Sequence, residues 1–167
     1  MIARSYIKAN LERIERLYNK SSSIQDGLFY SKLAILELCG WIEISMDDIV
    51  FRLAKKHLRR SQNINYVEKE VIKRTFGFDY SQHFRKMLIN IIGIVGVEKL
   101  EKKIDSIKHQ LMISSLDSMK LYRNSEAHTY IKGTTRRMDA PSLTKNRLND
   151  IYNGLKNIDD ELRRISI

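Results

Sequence analysis

The chain has 167 residues, fits one domain spanning 1–167, and can bury a sizeable core without staples. Its net charge of +10 favours polyanions, nucleic acid first and acidic membrane second, although AT-rich codon usage inflates Lys, Asn and Ile in the same way. The longest apolar run, 87–97, is interrupted by Asn90, Gly93 and Gly96 and falls short of the roughly 20 residues of a membrane span. A charged N-terminus without an apolar h-region argues against a signal peptide. The single cysteine, Cys39, suits a reducing cytoplasm.

One proline in the whole chain, Pro141, and the lack of Asn-Gly or Asp-Gly hairpin turns predict an all-α protein. A first helix is expected over about 2–18, with Ile7, Leu11, Ile14, Leu17 and Tyr18 on one face. A polar turn at 19–23 ends it, and Ser23 is a suitable N-cap with Asp26 three residues on. Residues 29–58 read as a long central helix of about 45 Å, apolar nearly all round. Phe29, Leu33, Leu36, Cys39, Trp41, Ile42, Met46, Ile49, Val50, Leu53 and Leu58 form its apolar set, widened by Ile35, Leu38 and Ile44. Glu37 and Glu43 interrupt that stretch, and a carboxylate there needs a partner or a route to solvent. Glu43 is expected to find a Lys, an Arg or the surface; for Glu37 a supporting role at a site stays open. The basic cluster 55–60 suits the negative end of the helix dipole.

After a polar turn at 61–65, a third helix is expected over 66–76, broken by Gly77. Asp79 or Ser81 caps a fourth segment, 83–92, with Phe84, Met87, Leu88 and Ile91 inward. Gly93 and Gly96 mark a bend, and 97–107 is a short helix or a loop. A further helix is expected over 108–131, with Gly133 as its stop and a loop at 134–140. Pro141 then opens a last helix, 142–165, whose Leu148, Ile151, Leu155, Ile158, Leu162 and Ile165 form a narrow seam. That seam either closes the bundle or pairs with a second copy.

The stretch 121–130, LYRNSEAHTY, carries the chemistry. On a helix Asn124 and His128 share a face, while Arg123 is turned from His128 by about 140° and reaches back with its long side chain. An imidazole titrating near pH 6.5 can take a proton from a ribose 2′-hydroxyl. A guanidinium offers a planar fork to the phosphate as negative charge gathers. Arg123, Asn124 and His128 are therefore candidate catalytic residues for RNA cleavage, with no metal ligand set and no cofactor expected. Lys132, Arg136 and Arg137 are candidate RNA contacts. The competing reading places Arg123 and His128 in ordinary caps and surface pairs with Glu126 or Asp117.

RNSEAH in an all-α chain resembles the Arg-x(4–6)-His signature of the HEPN superfamily, with Arg123, Asn124 and His128 at the matching positions. The resemblance implies a HEPN-like helical bundle with a long central helix and a homodimer whose two motifs face each other. It implies a metal-independent endoribonuclease, a toxin of a toxin–antitoxin or antiviral abortive-infection system, or alternatively a non-catalytic HEPN module that binds RNA or protein. His128, Thr129 and Tyr130 are similar to the Arg-x4-His-x-Tyr form of toxins encoded beside a nucleotidyltransferase antitoxin. There Tyr130 matches the adenylylated position. Residues 66–103 have no counterpart in the shorter toxins of that kind.

Overall fold

The computed structural model describes residues 2–127, 129–133 and 137–165. It is all-α, with no strand among the described residues. The helices are α1 (Ser5–Lys20), α2 (Ile24–His57), α3 (Ser61–Tyr66), α4 (Arg85–Glu101), α5 (Ser106–Glu126) and α6 (Pro141–Arg164). A π-helical segment, Val67–Ile72, continues α3, and another, Tyr80–Phe84, leads into α4. None of these helices is long and apolar enough to cross a membrane.

Helix α2 is the axis. At 34 residues it runs about 50 Å. Ser23 caps it by accepting from the Asp26 N–H at 3.0 Å, so it starts at Ile24, earlier than the apolar pattern suggests. Ala34, Ile35, Leu38, Ile42, Met46, Ile49 and Val50 are buried beneath α1, α5 and α6. The segment 67–72 and helix α4 cover a further flank with Val67, Val71, Ile72, Met87 and Leu88. Phe29, Leu33 and Ile44 of the expected apolar set are instead exposed, because no helix among the described residues covers that edge of α2.

Other boundaries also move. The polar stretch at 61–65 is not a turn but helix α3; burial of Val67, Val71 and Ile72 just downstream anchors it. Asp79 caps the next segment, accepting from Gln82 N–H at 2.7 Å. Helix α4 bends at Gly93 and continues through 97–101. Asp105 caps α5, accepting from the N–H groups of Ile107 and Lys108, so that helix begins at Ser106. It ends at Glu126 rather than at 131.

All six residues of the α6 seam are buried against the rest of the chain, so the seam closes the bundle. Its close approach to α5 rests on Gly154. A Cβ there would lie 2.4 Å from Met112 Cβ, an atom next to the backbone that cannot swing away. Gly154→Ala should therefore force α5 and α6 apart and lower stability by about 1–3 kcal/mol in urea unfolding. Leu155→Ala, which leaves a void instead, should cost about 2–5 kcal/mol. A Gly154→Ala protein as stable as wild type would mean that the helices do not meet this closely.

Candidate functional site

Three residues of α5 share one face of its last turns: Lys120, Arg123 and Asn124, at spacings of three and four. Arg123 and Asn124 are the candidates named from the motif; Lys120 joins them by its helical spacing. The Arg123 guanidinium, half-buried, places Nη2 3.0 Å from Glu43 Oε1 on α2. It also lies over the ring of Phe78, 5.8 Å from its centroid. Phe78 is buried, so this ring is a fixed floor. Glu43 thus finds the Arg that its place on a buried helix demands, and that Arg is the one in the motif. Glu37 lies elsewhere: its carboxylate accepts from Asn10 of α1 at 3.1 Å.

His128 and Arg136 lie outside the described residues. The side-by-side placement of Asn124 and His128 assumed a helix through 131, and α5 stops at Glu126. Beyond it, Thr129 returns its hydroxyl to Ser125 O at 2.8 Å, and Lys32 of α2 donates to Thr129 O. Ile131 is buried. Tyr130, Lys132 and Arg137 are exposed. The far end of this loop is pinned by Asp139, which accepts from Tyr122 OH at 2.6 Å and pairs with Arg147 at 2.7 Å. Those two bonds hold the Asp139 carboxyl below its ordinary range.

A recess of about 220 Å³ opens beside Arg123. Lys120, Arg123 and Asn124 form one wall, and residues 76–79 with His83 form the other. Asp79 organises that second wall. Its Oδ2 accepts from Lys120 at 2.9 Å, and its N–H donates to His83 Nδ1 at 3.2 Å. Burial opposes ionisation of Asp79, but the Gln82 N–H and Lys120 outweigh it and leave its pKa lowered. Gly77 has φ +126, and a Cβ there would lie 2.8 Å from His83 Cε1, so only glycine lets the backbone press on this imidazole. Farther back, Tyr80 and Arg85 both donate to Glu101, which anchors the start of the segment that carries His83. The contact of His83 with Asp79 is local, four residues apart, whereas its place opposite Arg123 comes from packing of this segment against α5.

Two further α2 groups respond to this electrostatic setting. The Cys39 thiol is pushed up to about 12, by burial first, with Arg123 opposing and Glu43 adding. It is therefore no nucleophile at neutral pH. Asp47, one turn beyond Glu43, is raised from 3.8 to about 6 by burial, then by Glu43 and Asp48. Comparison with protein-family models, with curated proteins and with solved structures finds no match to this chain.

Because the folded-state pKa of Asp47 exceeds its ordinary value, the native state holds that proton more tightly than the unfolded chain does. The group's contribution to stability is therefore lost as pH rises from about 4 through about 6. Asp47→Asn should gain stability relative to wild type across that window, as measured by denaturant unfolding at several pH values. A difference between the two proteins that does not change with pH would contradict the assignment.

Proposed function

We propose that this protein is a HEPN-type, metal-independent endoribonuclease that cleaves RNA by attack of the 2′-hydroxyl. The observation that carries the reading is the setting of Arg123. It stands in the last turn of α5, paired with Glu43, above Phe78, at a recess that it shares with Lys120 and Asn124. With one edge of the guanidinium on Glu43, the remaining donors of its fork are available to the two oxygens of a phosphodiester. In this reading His128 removes the 2′-hydroxyl proton and the 2′-oxygen attacks phosphorus. Arg123 and Asn124 hold the phosphate, and the 5′-oxygen leaves and takes up a proton. The products are a 2′,3′-cyclic phosphate and a 5′-hydroxyl. DNA, lacking the nucleophile, is no substrate.

The exposed apolar side chains of α2 support a homodimer. Phe29, Leu33 and Ile44 lie exposed along the helix that carries Glu43, and in this reading a second copy packs on them so that the two Arg123 groups share one cleft. Tyr130, 76% exposed, has the access that adenylylation by a nucleotidyltransferase antitoxin requires. A cytoplasmic toxin or antiviral effector is the corresponding biological role. Lys132 and Arg137 are exposed, as RNA contacts must be.

The test is cleavage of single-stranded RNA in EDTA. Arg123→Ala and His128→Ala should each lose about 100-fold or more of the wild-type rate. Equal cleavage by all three proteins would remove the motif from the reaction. Binding without turnover, unchanged in His128→Ala, would instead indicate the non-catalytic binding module.

A further inference from the structure

The segment 66–103, which the resemblance leaves without a role, supplies one wall of the recess beside Arg123. The geometry points to a nucleotide subsite there: a phosphate seated between Lys120, Arg123 and His83, with its base stacked on Phe76. This assignment rests on the RNA reading above and extends it to a residue flanking the scissile one.

The donors fit an anion. Lys120 carries three N–H groups, and among the described residues Asp79 accepts from it. His83 accepts the Asp79 N–H on Nδ1, so a neutral imidazole carries its proton on Nε2 and is a donor at that atom. Gly77, pressed on the ring, and the Asp79 bond together fix its orientation. Asp79 itself is acceptor-only when ionised, yet both its oxygens are engaged, by Gln82 N–H and by Lys120. The recess therefore presents cationic and N–H groups, with its one lining carboxylate already bound.

Phe76 adds the second half. It lines the same recess and is 80% exposed, whereas its neighbour Phe78 is 2% exposed. The core takes Phe78 and leaves Phe76 as a bare ring at the rim. A large aromatic left in water beside a cationic recess is the combination that binds single-stranded nucleic acid, phosphate by charge and base by stacking. The pairing of a ring with an anion seat also separates this subsite from a site for free phosphate.

The test uses the full chain and an uncleavable 2′-O-methyl oligouridylate, with binding followed by fluorescence anisotropy. A matched abasic oligomer carries phosphates without bases. Phe76→Ala removes an exposed ring and should weaken the base-bearing oligomer about tenfold while leaving the abasic one unchanged. Lys120→Met should weaken both and reduce the salt dependence of binding. Titration with the oligomer should also shift the His83 imidazole signals in NMR. Wild-type affinity in both variants, equal loss of the two oligomers in Phe76→Ala, or no binding by the unaltered protein would overturn the subsite. RNA cleavage that depends on Arg123 and His128, together with unaffected binding in Phe76→Ala and Lys120→Met, would sink the subsite and leave the nuclease standing. The expected binding losses without any cleavage would do the reverse.

Discussion

The need to cover α2 governs this molecule. A helix apolar on most of its circumference cannot stand in water, and each fully buried Leu, Ile or Met contributes roughly 1.5–3 kcal/mol. Helices α1, α5 and α6 take most of that surface, and the π-helical segment 67–72 with α4 takes another flank. The cover is incomplete where α5 ends. Glu43 and Asp47 sit on α2 in that region, half-buried, and the last turn of α5 meets Glu43 with Arg123. The ion pair is thus a consequence of where the covering helix stops.

Its energetic value is modest, since both partners keep about a third of their surface in water. Its geometric value is larger. Glu43 and the Phe78 ring confine the guanidinium from two sides, so the ordering of this long side chain is accomplished before any ligand arrives. Lys120 is held in the same manner by Asp79. The cations of the recess are therefore preset, and each keeps a carboxylate partner with which an incoming phosphate must compete. Such a surface binds polyanions with strong dependence on salt.

The fold was largely legible in the sequence where periodicity and capping agreed. The α6 seam, the Ser23 cap, the Pro141 start and the buried run of α2 all follow from residue spacing and local hydrogen bonding. The failures have physical causes. Residues 61–65 are polar and look like a turn, yet packing of Val67, Val71 and Ile72 overrides composition. The α5 C-terminus lies at Glu126 because Lys32 captures the Thr129 carbonyl and Ile131 turns into the core, contacts that local sequence does not encode. Within the site, Arg123 and Asn124 were readable as a motif. Glu43, Phe78 and His83 join it only through tertiary packing.

The central claim is a metal-free transphosphorylation organised by Arg123. It is tested most directly by the chemistry of the product ends, read by mass spectrometry after digestion in EDTA. An RNA oligomer with a single 2′-deoxy residue at the scissile position serves as the comparison. The account predicts 2′,3′-cyclic phosphate and 5′-hydroxyl ends from the all-ribose oligomer and no cleavage at the deoxy linkage. Fragments ending in 3′-hydroxyl and 5′-phosphate, or scission at the deoxy position, would contradict it.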